Sequence, residues 1–434
     1  MKHTVRKRKT AGRNDEQGIV VMLVAVFLLF VVGAMAALSI DVVTLYTARS
    51  EAQLAADAAA LAAARVLANS GTTSDTTGAS VSSAELLATA VAFQVAEQNS
   101  VGGRNLTATD VKTPIYSGSP TNPHVTVTVQ RTDLPTFFAR MWGWKQIAVA
   151  ASATAEAYNP SGAYALGGTA TPVAPMCVKP WLLPNLDPTK LPGTAGAIFN
   201  ADGSIANPVL VGESWPWQTT DPNYNQNGLR SRNPAMVPLP GQYYPGLIDA
   251  DDFPVPTQAL PACSIGFTQS QLAVAGCVQR PISCGATATI KIDTNPSNSL
   301  DSDMVTAAQC LIHNANSYGD SDRLVGSPLP TPPFQFVAGS QNPVAAAQGQ
   351  NVLVSDSLVT IPVFDSSGTF NPNSPVTVIG FLQVFLDPAA DSITGSTQIT
   401  ATIINLAGCG TGATGTPIYG NGASPVAVRL ITPP

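Results

Sequence analysis

Cys310 and His313 stand three positions apart, a spacing at which a thiolate and an imidazole can share one metal ion. Cys277 and Cys284 are also close in sequence, and Cys177, Cys263 and Cys409 bring the total to six. An even count in an oxidising compartment reads as disulfides, so the expected use of these cysteines is cross-linking, with His313 on a helix surface. The spacings leave the pairing open. Hard-cation chemistry has two candidates. Asn223-Tyr-Asn225-Gln-Asn227-Gly228 opens like an EF-hand loop, but its twelfth position is Pro234, where a bidentate Glu is needed. Asp249, Asp251 and Asp252 form an acidic knot whose expected form is a surface turn. For hydrolysis the chain is poorly supplied. His3, His124 and His313 are its only histidines, and neither a Gly-x4-Gly-Lys-Ser/Thr loop nor a Gly-x-Ser-x-Gly elbow occurs. Paired carboxylates need only two acids brought together by folding, yet the acids here sit mostly in polar turns. The expectation is a protein that is not an enzyme, with no catalytic residues, no cofactor and no bound metal.

The compartment is set by the segment Gly18–Ile40, which carries no charged side chain. As a helix it extends roughly 34 Å, enough to cross a hydrocarbon core. Residues 1–17 carry six basic side chains against Asp15 and Glu16, a net +4, which leaves −10 for the remainder. The positive-inside bias therefore keeps the N-terminus in the cytoplasm and exports the rest. A cleaved signal peptide has a shorter apolar core, and here the helical pattern runs unbroken past Ala34, Ala36 and Ala37, so a retained anchor is expected. An acidic exported body argues against nucleic acid as a partner, since phosphate binding needs a basic face.

Past Asp41 the helical composition continues to Asn69 without Gly or Pro, and Asn69 and Gly71 supply a stop. Tyr46, Arg49, Gln53 and Asp57 follow steps of three, four and four, so they share one stripe that is either solvated or a partner-docking ridge. Ser82 and Glu85 form a capping-box pattern for a second helix to about Gln98. Val125, Val127 and Val129 alternate with polar residues as a half-buried strand, with a weaker strand expected near Asp110–Tyr116. Asp133 is placed to cap a short helix carrying Phe137, Phe138, Met141 and Trp142, and Ile147–Tyr158 alternates again. Of 36 prolines, 31 lie in residues 161–434, which marks a change of domain.

Turns dominate from Gly162 to about Asp252. Strand-like runs come later, at Thr287–Ile292, Phe334–Val337, Asn351–Phe364, Val376–Leu386, Thr397–Ile404 and Val426–Ile431, interrupted by a helix near Asp301–Asn314. The expected fold class is α+β. It comprises a basic stub (1–17), a transmembrane helix (18–40), a helical extension with a small antiparallel sheet (41–158), and a β-rich, Pro/Gly-rich exported domain (159–434).

Gln17-Gly18 before the apolar run, then Asp41, Tyr46, Arg49, Gln53 and Ala56-Asp57-Ala58-Ala59-Ala60-Leu61-Ala62, resemble the N-terminal segment of TadG-like proteins of the tight-adherence (Tad) machinery that assembles Flp-type pili. Leu134-Pro-Thr-Phe-Phe-Ala-Arg-Met-Trp-Gly143 and the strand after it are similar to the next segment of that family. The resemblance runs from the N-terminus to about Tyr158, a third of the chain. It implies a bitopic protein of the bacterial inner membrane with a periplasmic body, taking part in pilus assembly or an envelope complex. Some members carry a von Willebrand A domain. Asp365-Ser-Ser367-Gly-Thr369 imitates its metal motif, but the chain after Thr369 is too short for the rest of such a domain. Related pilins are cut after a Gly with a Glu five residues on. The corresponding position after Gly18 is Leu23, so no cut at Gly18-Ile19 is expected.

Expected partners are the lipid bilayer and other assembly proteins in the membrane. Gly33, Ala34, Ala36 and Ala37 offer close helix packing. The alternative is an anchored envelope or surface binding module, in which exposed Trp181, Trp215 and Trp217 stack on sugars; buried tryptophans favour the assembly reading.

Overall fold

The computed structural model describes residues 15–163, 170–217, 238–246, 266–292, 301–314, 320–327, 329–371, 373–388, 399–419 and 423–431. In chain order it begins with α1 (Asp15–Asn69), α2 (Val81–Glu97), a short hairpin of β1 (Ser100–Val101) and β2 (Arg104–Asn105), then β3 (Ile115–Ser119), β4 (Asn122–Pro135), β5 (Gln146–Tyr158) and α3 (Pro160–Ala163). Next come β6 (Trp181–Pro184), β7 (Ser214–Trp217), β8 (Tyr244–Pro245), α4 (Gln269–Ala275), β9 (Thr289–Ile290) and α5 (Asp301–Leu311). The remainder is β10 (Arg323–Leu324), β11 (Phe336–Val337), β12 (Asn351–Val352), β13 (Leu358–Phe364), β14 (Val376–Pro388), β15 (Ile399–Gly408) and β16 (Ala427–Ile431). The class is α+β, as expected. Two compact units share the chain: residues 1–56, 96–112 and 128–152 form one, and residues 57–95, 113–127 and 153–434 the other.

Helix α1 is unbroken over 55 residues, about 82 Å by its rise. The side chains of its apolar part, from Ile19 to Leu38, are largely exposed. This makes it a helix long and apolar enough to cross a membrane. Ser39, Thr44 and Thr47 return their hydroxyls to the carbonyls of Met35, Ile40 and Val43 at 2.8–3.0 Å, so these polar groups are satisfied within the helix itself.

In the first unit, Ala48, Ala52, Ala55 and Ala56 are buried at helical spacing, which lets neighbouring backbone come close. The β1–β2 hairpin is tied to α1 by Glu51, whose carboxylate accepts the Gly102 amide at 2.6 Å. Gly102 has φ +58°, and a Cβ there would strike Leu134, so glycine is required. Arg131, buried in β4, donates to the Val101 carbonyl and to Asp133. Asp133 therefore lies inside β4 and pairs with Arg131 and Arg104 instead of capping a helix. The expected short helix is reduced to one 3-10 turn, Ala139–Trp142. The weak strand near Asp110–Tyr116 also moves: Ala108–Asp110 is a 3-10 turn under a Thr107/Asp110 capping box, and the strand begins at Ile115.

In the second unit, α1 ends where the sequence indicates. Gly71 adopts φ +80°, and a Cβ there would meet the Phe334 ring and the Ile404 carbonyl. Helix α2 starts one residue before Ser82, after a turn in which the Asp75 carboxylate accepts the amide and hydroxyl of Ser80. Its Ala84, Ala88 and Ala92 are fully buried. The larger sheet has the order β7-β15-β14-β13-β6-β8, with β9 paired to β14. Strands β13 to β15 are buried along nearly their whole length, which explains their continuous apolar sequence. Leu382, Val384 and Leu386 share one cluster with Trp181, Val274 and Ala308, while Phe385 shares another with Phe334 and Phe336.

Three features here are not legible in the sequence. Strands β6, β7 and β8 lie among prolines where turns are expected. Helix α4 falls in a stretch with no expected helix, although a Thr268/Gln271 capping box opens it. Strand β16 pairs with β5, in the four-stranded sheet β16-β5-β4-β3, and not with the neighbours that precede it in sequence.

Candidate functional site

The turn of α1 beyond the apolar run carries Asp41, whose carboxylate accepts three backbone amides. One oxygen accepts the Phe137 amide at 2.9 Å; the other accepts the amides of Phe138 at 3.0 Å and Ala139 at 2.7 Å. Successive amides converge because the chain leaves β4 at Pro135 and turns into the 3-10 segment, exposing donors that have no helical partner. Desolvation pushes the Asp41 carboxyl up, but the three N–H donors outweigh it and hold the group below the usual carboxylate range. The same connection is closed at its other end by the Thr136 hydroxyl, which donates to the Trp144 carbonyl, and by Gly143 in a left-handed conformation. Such an arrangement positions backbone.

The stripe read from the sequence lies along the next turns of the helix. Tyr46 is 73% exposed, and Arg49 is exposed as well. Gln53 is exposed yet donates to the Ser152 carbonyl at 3.3 Å, and Asp57 is half-buried. Leu54, 64% exposed, adds an apolar side chain to this part of the helix.

At its far end α1 enters a buried polar network. Asn405 of β15 donates to the Ala68 carbonyl at 2.7 Å and to Gln383 Oε1 at 2.6 Å. Gln383 donates to Asn69, which donates in turn to the Leu353 carbonyl at 2.9 Å. Thr73, Ser74 and Asn159 complete it, with Thr73 and Ser74 donating to Asn405 Oδ1. The sequence singles out none of these as functional beyond the helix stop at Asn69. The signal they leave is a run of small polar side chains after that stop.

The metal candidates resolve into structural roles. Cys177 is bonded to Cys277 and Cys284 to Cys409, and Cys310 is also disulfide-bonded. His313 instead faces Asp356 at 2.9 Å. His124 lies beside Glu156, which Arg429 also pairs. Asp365 accepts the Ser367 amide in a local turn. No group of three metal-ligating side chains occurs among the described residues. The Asn223–Gly228 loop and the Asp249–Asp252 knot lie outside the described residues. Lys179 is fully buried, and desolvation pushes its ammonium down to about 7 against the pull of Asp356. Its Nζ donates to the carbonyls of Val274 and Gly276 at 2.7 and 2.6 Å, so it closes the C-terminal end of α4. Trp181 and Trp215 are core residues.

These features define a class: an exposed apolar helix continuous with an α+β, disulfide-bonded body. Residues 18–66 match the Tad family model, described as Flp pilus-assembly TadE/G-like. The matched stretch lies wholly within α1 and takes in the apolar run, Asp41 and the alanine-packed turns beyond it, about a ninth of the chain. No curated protein and no solved structure matches the chain.

Proposed function

We propose that the chain is a non-enzymatic, single-pass membrane protein of a Flp/Tad-type pilus-assembly apparatus or an associated envelope complex. The observation that carries this reading is the family match on a helix whose apolar side chains are largely exposed among the described residues. The basic stub supports a cytoplasmic N-terminus in the bacterial inner membrane, with the bulk in the periplasm. The disulfides suit that oxidising compartment. Other assembly proteins in the membrane are the partners, met along the stripe Tyr46, Arg49, Gln53 and Asp57, where Tyr46 and Leu54 offer apolar surface to bury. The burial of Trp181 and Trp215 favours this reading over a sugar-stacking surface module.

The double variant Arg49→Glu, Asp57→Lys tests it by co-purification from membranes. Reduced recovery of other assembly proteins with unchanged membrane insertion supports the docking stripe; full recovery of those partners sinks it.

A further inference from the structure

The loop that Asp41 holds has an unusual surface. Phe137 is 62% exposed and Trp144 is 66% exposed, and both belong to the one connection between β4 and β5. Arg140 and Lys145 of the same loop are exposed too, and residues 134–155 contain no acid. This stands against an exported body with a net charge of −10. The position of the loop is fixed. The amides of Phe137, Phe138 and Ala139 are bound to a carboxylate that stands immediately after the uncharged run Gly18–Ile40. Hence, if Gly18–Ile40 spans the bilayer, the backbone of 137–139 lies within about one helical turn, some 5 Å, of the point where the span ends. Aromatic side chains beside cationic ones at that depth match the headgroup region, where Trp is favoured and Lys and Arg meet lipid phosphates.

We propose that residues 136–145 form a second membrane contact. Phe137 and Trp144 enter the bilayer interface beside α1, Arg140 and Lys145 meet anionic headgroups, and Asp41 sets the depth. The occupant of this surface is lipid, because the loop is continuous through Asp41 with the segment read as spanning. The inference rests on that reading. Its consequence is mechanical: a helix fixed to the bilayer only along its own axis can tilt and rotate, whereas a lateral contact restricts both.

The test uses the full-length protein reconstituted in vesicles of phosphatidylcholine and phosphatidylglycerol, with lipids brominated near the headgroup as tryptophan quenchers. Comparison with Trp144→Phe isolates the Trp144 emission. The expected result is strong quenching of that component by bromolipid and protection from aqueous acrylamide. Phe137→Asp and Asp41→Ala should each reduce the bromolipid quenching by about half or more, since each removes an anchor of the loop. Replacing phosphatidylglycerol with neutral lipid should weaken it as well. Alkaline carbonate extraction of the same vesicles separates the two readings. Protein that stays in the bilayer while Trp144 remains open to acrylamide overturns the loop contact alone. Protein that is extracted overturns the spanning reading, and the loop contact with it.

Discussion

Asn405, in the middle of β15, donates its side-chain amide to the backbone carbonyl of Ala68 in the last turn of α1, at 2.7 Å. Helix ends leave carbonyls without intrahelical partners, and a buried one must find a donor elsewhere. Both residues are fully buried, so water cannot substitute. Asn405→Leu removes the donor for Ala68 and Gln383 and the acceptor for Thr73 and Ser74. The expected loss is about 2–4 kcal/mol, more than one hydrogen bond, because several buried partners are orphaned together. Thermal denaturation of the detergent-solubilised chain measures it, and a change within error would show that the network is dispensable.

Asp41→Asn should loosen the 137–139 amides while leaving the rest of the first unit intact. A neutral amide has one acceptor oxygen where the carboxylate has two, and the charge assistance is gone. Hydrogen exchange should rise at Phe137–Ala139 and stay unchanged at Val101 and Leu106. The Asp41 carboxyl is depressed in the folded state, so its contribution is present above the ordinary value of 3.8 and fades as pH falls through the lower, folded value. The protection of these amides in the wild type, taken relative to intrinsic exchange at each pH, should therefore fall only below about pH 4.

Asp387 predicts the opposite sign. Burial pushes its carboxyl up to about 6, against a hydrogen bond from Ser327 and the charge of Arg323, and its Oδ1 finds no hydrogen-bond donor among the described residues. The folded state thus holds a proton that the unfolded state releases. Stability declines as pH rises from about 4 to about 6, and the full penalty remains above that. Asp387→Asn keeps an acceptor for Ser327 and removes the ionisation. It should stabilise the protein by about 1–2 kcal/mol at pH 7 and by nothing measurable at pH 4. Equal melting temperatures for variant and wild type at pH 7 would contradict this.

The disulfides close long loops, with sequence separations of 100 for Cys177–Cys277 and 125 for Cys284–Cys409. Losing either should cost about 2–5 kcal/mol. Mass mapping under non-reducing conditions should recover both cross-linked peptide pairs. Cys284→Ser with Cys409→Ser should lower the melting temperature well beyond a typical surface change. A mapped Cys277–Cys284 pairing would contradict the structure.

From the N-terminus to Tyr158 the chain is readable because its signals are local. Helix α1 follows from an uncharged run and an alanine run, and β4 and β5 follow from strict alternation. Asp133 misleads because an acid before Phe137 imitates a helix cap, whereas two arginines, Arg104 and Arg131, claim it through the tertiary fold. Asp41 is visible as the end of the apolar run, but its ligands lie nearly a hundred positions away, and no spacing rule connects them. The same limit applies to β6 to β8. Strands β6 and β7 are held by β13 and β15, and β8 by β6, so their own proline-rich sequence does not need strand propensity. The network around Asn405 is invisible for a different reason, since small polar residues after a helix stop read as a solvated loop until a buried strand is placed over them.

Strand β16 lies against β5 in antiparallel register, Ala427 opposite Tyr158 and Ile431 opposite Thr154. The two edges meet only after almost all of the intervening chain has been made, so the growing polypeptide presents an open β5 edge for most of its synthesis. Biogenesis then has a vulnerable interval, when a truncated or stalled product offers that edge to any passing strand. A holding factor would have its greatest value during that interval, and release would coincide with arrival of the closing strand.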